Sequence, residues 1–179
     1  AIETTSGFYN SPFGSAVASG LNPALFGFFP DMLADSWVTI GIDSQNGDGE
    51  VVISTIESPM QPWVGAFAHG EPNSGQNVYI DDEAGGTWYV LNNALNGLPD
   101  SDGRVLCMQL TTAGAVSGTL NMQIFPNGVG SNAIYNTYVF DGPGTYAFEG
   151  DGTASNACGC TDETAANYDA AAEYDDGSC

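Results

Sequence analysis

Hard oxygen donors crowd the last stretch of the chain: Asp162, Asn167, Asp169, Asp175 and Asp176 fall within residues 158–179. Carboxylate and amide oxygens at irregular spacing suit calcium, which takes roughly six to eight oxygens and tolerates uneven geometry. Cys107, Cys158, Cys160 and Cys179 are an even set with three members in that same stretch, the usage expected of an oxidising, extracellular compartment. Catalytic chemistry is poorly supplied. The single histidine, His69, lies in Phe67-Ala-His-Gly-Glu-Pro72, and there is no Gly-x-Ser-x-Gly elbow, no histidine pair for zinc and no phosphate loop. His69 therefore reads as a turn residue, and 22 acids are too many for any carboxylate pair to be diagnostic of glycoside hydrolysis.

Two further groups invite a chemical reading and receive a plain one. Asp43-Ser-Gln-Asn-Gly-Asp-Gly-Glu50 begins like an EF-hand loop, but its twelfth position is Ser54 and no helices flank it, so it reads as a hairpin turn. Asp81, Asp82, Glu83, Asp100 and Asp102 read as solvated loop acids. Of the tryptophans, Trp37 and Trp88 lie in strand-like runs and are expected in the core. Trp63, in Pro59-Met-Gln-Pro-Trp63, is the surface candidate for stacking on a sugar ring.

The elements that must position these residues are set by composition. With 179 residues and 42% hydrophobic content the chain can bury one ordinary core plus a small appendage. Its formal charge is -21, with one basic residue, Arg104. Nucleic acid is excluded as a partner, because binding phosphate needs cationic side chains to displace counterions, and anionic membrane surfaces are excluded likewise. No apolar run is long enough for a spanning helix, the nearest being Leu21–Leu33, interrupted by Asn22, Pro23, Pro30 and Asp31. The opening Ala-Ile-Glu, without Met or an apolar signal segment, reads as a processed chain.

From Ser36 to Glu149 short β-type runs alternate with turn chemistry, which predicts an all-β fold, an antiparallel β-sandwich or jelly roll. The expected strands are Trp37–Ile42, Val51–Ile56, Val78–Ile80, Thr87–Leu91, Val105–Thr112, Ser117–Phe125, Thr137–Phe140 and Thr145–Phe148. The clearest expected hairpin joins Val105–Thr112 to Ser117–Phe125. Alternation puts Leu106, Met108, Leu110, Leu120, Met122 and Ile124 in the core, with Cys107 on the opposite face.

Residues 1–35 form an N-terminal arm, nearly uncharged and rich in aromatics that include Phe8, Tyr9 and Phe13. Such an arm either packs on its own sandwich or docks along the sheet edge of a neighbouring copy. The sandwich is expected over 36–149. A small-residue linker covers 150–157, and the acid-rich tail 158–179 is a separate unit.

The tail residues Gly159 to Asp162, Ala165, Asn167 to Asp169 and Asp175 to Cys179 carry the pattern Gly-Cys-Thr-Asp, Ala-x-Asn-Tyr-Asp, Asp-Asp-Gly-Ser-Cys. That pattern resembles a short cysteine-bounded repeat of secreted proteins from aquatic Bacteroidetes and other aquatic microbes. Glu163 and Ala170 stand where the repeat usually has proline, and one copy is present where tandem copies are common. Asp35 to Gly41 and Ile80 to Trp88 are also similar to stretches of uncharacterised secreted proteins from such organisms, without implying an activity. The resemblance implies secretion, a Cys160–Cys179 disulfide and calcium. Such a bridge closes a loop worth about 3 kcal/mol on the chain-entropy model, a staple that so small a unit needs. Cys107 with Cys158 would then be the second bridge, since Cys158–Cys160 closes too short a ring.

These readings lead to a secreted extracellular structural subunit whose activity is association and not turnover. The apolar arm inserts along a second copy's sheet edge, a head-to-tail contact that generates a filament or matrix stabilised by calcium and disulfides. The alternative is a carbohydrate-binding adhesion module in which Trp63 and loop acids contact glycans.

Overall fold

The computed structural model describes residues 1–144, 158–159, 164–165 and 174–175. Among them no helix reaches seven residues, and short strands gather into small, mainly antiparallel sheets, so the described residues form an all-β fold. The strands are β1 (Ile2–Thr4), β2 (Trp37–Val38), β3 (Ser54–Ile56), β4 (Thr87–Tyr89), β5 (Met108–Gln109), β6 (Val116–Ile124), β7 (Ile134–Asp141), β8 (Cys158–Gly159) and β9 (Tyr174–Asp175). One sheet has the order β1-β6-β7, while β2 pairs with β5, β3 with β4 and β8 with β9. Short 3-10 turns fill the connections. Those at Pro23–Leu25 and Pro30–Ala34 open on proline, whose fixed φ suits the first helical position and whose missing N–H costs nothing there.

Two apolar cores lie in the body. Ile2, Phe8, Val38, Trp63, Ala66, Phe67 and Val78 form the first, against which Met108, Leu110, Leu120 and Phe140 pack. Ala18, Leu21, Met32, Trp37, Ile42 and Ile53 form the second, and Val17 and Trp88 touch both. The first 35 residues therefore pack on their own chain. The compact units are Ala1–Leu120 with Val139–Thr145, and Asn121–Tyr138 with Tyr146–Cys179, so the first 35 residues belong to the first unit. The reason is burial: Ile2, Phe8, Ala18, Leu21 and Met32 find their dry contacts inside the first unit.

The expected hairpin is not formed. β5 pairs with β2, with Trp37 opposite Gln109 and Val38 opposite Met108, and the Thr39 and Gly41 N–H groups donate to the carbonyls of Cys107 (2.9 Å) and Leu106 (2.8 Å). β6 pairs instead with β1, Ile2 opposite Gly118, and with β7. The deeply buried Trp37–Thr39 backbone needs hydrogen-bond partners, and the segment ending in β5 supplies them. Leu106 and Ile124, 41% and 45% exposed, are accordingly outside the core, while Met108, Leu110 and Leu120 reach it and Met122 is half-buried. Of Val78–Ile80 only Val78 pairs, with Ile2. The expected strand Thr145–Phe148 lies outside the described residues.

Asn96 joins several segments. Its buried side chain accepts from the Val51 N–H at 3.1 Å and donates to the carbonyls of Ile40 (3.0 Å) and Val51 (3.2 Å). Gly41, at φ 74°, lies so close to the Asn96 carbonyl that any Cβ would collide with it.

In the tail, β8 and β9 run parallel, Cys158 opposite Tyr174 and Gly159 opposite Asp175. A parallel pair needs a connection of roughly a dozen residues or more, and 160–173 are long enough to supply it.

Candidate self-association surface

The N-terminal segment is strapped down by two carboxylates on one short element. Pro30–Ala34 is a 3-10 turn with Asp31 in its first turn and Asp35 just past its end. Asp35 is completely buried and accepts hydrogen bonds from the N–H groups of Ser11 (2.7 Å) and Ser15 (2.8 Å), one to each oxygen. Asp31 accepts from the Ser11 hydroxyl at 2.8 Å and the Tyr9 hydroxyl at 3.4 Å. Gly14 passes against the Asp35 carboxylate, where a side chain would clash. Burial pushes the Asp35 carboxyl above its ordinary range, against the pull of the Ser11 and Ser15 amides and with the help of Asp31. Partial burial, then the Asp31 charge, also raises the Tyr9 phenol.

Several large apolar side chains around this strap face out. Phe13, 50% exposed, stacks on Phe29 with ring centroids 3.7 Å apart and planes at 22°. Phe26 and Phe29 turn inward onto the second core, which leaves Phe28 between them 78% exposed. Leu33, 60% exposed, and Tyr9 extend the set. Isolated exposed apolar side chains are ordinary, and these four stand near the segment that the Asp31 and Asp35 hydrogen bonds hold in place.

Of the three arm residues expected to mediate assembly, Tyr9 and Phe13 are exposed. Phe8 is not available: it lies in the first core against Phe67, ring centroids 5.6 Å apart. Trp63 is likewise corrected. It is 2% exposed, packed between Phe67 and Trp88, with its indole N–H donating to the Ile56 carbonyl at 2.9 Å, because Glu57 accepts the Trp63 and Val64 N–H groups and turns the chain inward there. It cannot stack on a sugar.

Cys107 is a free thiol among the described residues, and the side chain of its expected partner, Cys158, lies outside them. Its side chain is half-buried near the Val105 carbonyl, 3.5 Å away, and burial raises its pKa, which keeps it a neutral thiol. Cys158 and Asp175 belong to β8 and β9, and Cys160, Cys179, Asp162, Asn167, Asp169 and Asp176 lie outside the described residues.

The loop acids are mostly tied to their own turns. Asp43, Glu50 and Asp100 line an open cleft of about 500 Å³ with Ile42 and Leu106, but Glu50 accepts from the Gly47 N–H and Asp100 from the Asp102 and Arg104 N–H groups. No group of three or more His, Cys, Asp or Glu among the described residues is arranged to hold a metal. His69 is exposed, its Nδ1 3.3 Å from the Asn10 carbonyl.

The strap itself was not legible in the sequence: Asp31 and Asp35 look like any other acids until the chain folds. The exposed Phe28 and Leu33 were legible only as members of an aromatic-rich segment, since which side chains turn inward is decided by contacts such as those of Phe26 and Phe29 with the second core. No helix among the described residues is long and apolar enough to cross a membrane. No protein-family model matches the chain, and no curated protein or solved structure matches it.

Proposed function

We propose that this protein is an extracellular structural subunit that associates with copies of itself into a filament or matrix. The observation that carries the reading is the set of exposed apolar side chains Tyr9, Phe13, Phe28 and Leu33 on a chain otherwise so acidic that casual association is suppressed. Covering a phenylalanine ring is worth about 1.5–3 kcal/mol, enough for a few such rings to drive association. Exchange of the same segment between copies would reproduce the Asp35 and Asp31 contacts in trans, the domain-swapped form of arm exchange. The small sheets are read as parts of a β-sandwich or jelly roll, a reading supported by the two apolar cores.

Calcium, held by Asp162, Asn167, Asp169, Asp175 and Asp176, would lower the mutual repulsion of such acidic copies, and a Cys160–Cys179 disulfide would staple the tail. The secreted location rests on the cysteine usage and the resemblance of the tail. A carbohydrate-binding role loses its aromatic platform with the burial of Trp63.

Negative-stain electron microscopy and sedimentation of the full chain, with calcium or EDTA, test the proposal alongside a Phe13→Ser/Phe28→Ser variant. Polymers are expected from the wild type, with at least a tenfold loss of assembled material in the variant and partial loss in EDTA. Monomers of wild type under every condition would overturn the reading, and a defined ligand on a glycan array would replace it.

A further inference from the structure

From Val105 to Phe140 the chain carries no charged residue, although the whole chain has 22 acids. β6 lies entirely within that run. Its two edges are unequally covered. β1 pairs with it over Val116–Gly118, and Ala1 continues the ladder by exchanging hydrogen bonds with Thr119 (Thr119 N–H to the Ala1 carbonyl 2.8 Å, Ala1 amino group to the Thr119 carbonyl 3.0 Å). Backbone groups point to alternate edges along a strand, so those of Asn121 and Gln123 face the same side as those of Thr119. Among the described residues nothing bonds to them there.

We propose that this edge, Asn121 to Gln123, pairs with the same edge of a second copy in antiparallel register about a two-fold axis at Met122. The inference deepens the self-association reading above by naming a second contact. In that register Asn121 of one copy faces Gln123 of the other, and each pair exchanges both its hydrogen bonds, so the four backbone groups on each side that no described residue pairs are satisfied. The occupant is a second copy because the edge is self-complementary and because two strongly acidic chains meet with least repulsion where neither carries charge. The strand ends at Ile124, and Pro126 opens a 3-10 turn that takes each chain off the line of pairing. Ile124, 45% exposed, gains cover. An edge that no described residue covers is a ready template for another strand, and Asn121 to Gln123 include no lysine or proline to blunt it.

The test adds charge without disturbing the protomer. Asn121 accepts from the Thr137 hydroxyl at 2.9 Å and Gln123 hydrogen-bonds the Tyr135 hydroxyl at 2.8 Å. An Asn121→Asp/Gln123→Glu variant can keep both bonds, with the Tyr135 hydroxyl now donating, yet it sets like charges directly opposite each other across the two-fold axis. Sedimentation velocity is run on wild type, this edge variant, the Phe13→Ser/Phe28→Ser variant and the combination, with melting curves to establish folding. The patch variant is expected to remain a dimer and the combination to be a monomer, with association weakened at least tenfold by the edge substitutions. A Gln123→Pro variant, which removes the N–H that faces this edge together with the side-chain bond to Tyr135, is expected to act in the same direction. An edge variant that associates within twofold of wild type, or a monomeric patch variant, overturns the edge contact and leaves the patch reading standing. If the edge variant dissociates while the patch variant assembles as wild type does, the patch reading fails and the edge contact stands.

Discussion

Asp35 carries a carboxylate into the interior and is held there by two amides 24 and 20 positions earlier. Truncation to alanine would leave the Ser11 and Ser15 N–H groups buried without acceptors, at about 1–3 kcal/mol each. Asp35→Asn keeps one acceptor and turns an NH₂ toward the other amide, so it should also lower stability, by about 1–3 kcal/mol. The two chains should differ in their response to pH. Burial raises the folded-state pKa of Asp35 above its ordinary 3.8, so the folded chain binds this proton more tightly than the unfolded chain does. The contribution of the group is complete below 3.8 and is lost as pH rises through the higher folded value. In thermal melts, the advantage of wild type over Asp35→Asn should therefore be greatest in acid and shrink as pH rises; an advantage that grows with pH would contradict this assignment. Asp31 and the Tyr9 hydroxyl are the polar neighbours that such an experiment must keep unchanged.

At the level of elements, Gly41 marks where β2 gives way to the segment held by Asn96. Substituting alanine there combines a left-handed backbone with a collision against the Asn96 carbonyl, and should cost about 1–3 kcal/mol, read as a lowered denaturant midpoint with unchanged slope. The all-β class was legible because β-branched and aromatic runs are separated by Gly, Asn and Asp turns, and β6 was legible nearly to the residue. Its partner was not. Alternation tells which face of a strand is apolar but is silent on which strand lies beside it, and here β1 and β7 took the place expected for Val105–Thr112. Trp63 escaped for a related reason: prolines at 59 and 62 signal a turn, and turns are usually exposed, but the Glu57 carboxylate folds this one over the first core. In the candidate surface Tyr9 and Phe13 were legible only as aromatics of the arm, on the same footing as Phe8, because the burial of Phe8 beside them depends on Phe67, a contact between distant positions.

Across the whole molecule, charge sets the terms of contact. Arg104, the single basic residue, lies within 3.6 Å of the Asp100 carboxylate and is also paired with Asp102. With no lysine, trypsin has one side-chain cation to recognise, at the Arg104–Val105 bond, and the flanking acids compete for it. Digestion should be slow and yield one cut, to fragments 1–104 and 105–179 by mass spectrometry, and Asp102→Ala should speed it several-fold.

The buried Asn96 has a consequence on a slower clock. An asparagine followed by glycine is the dipeptide most prone to shed ammonia, because the unhindered glycine nitrogen swings onto the side-chain carbonyl and closes a cyclic imide. The chain has three such pairs, and in Asn46–Gly47 and Asn127–Gly128 the asparagine is exposed. In Asn96–Gly97 the amide is held at both ends by Ile40 and Val51 and cannot turn back on its own neighbour. Chemical ageing is therefore steered to the surface loops, while the joint that ties Ile40, Val51 and Asn96 together outlasts them.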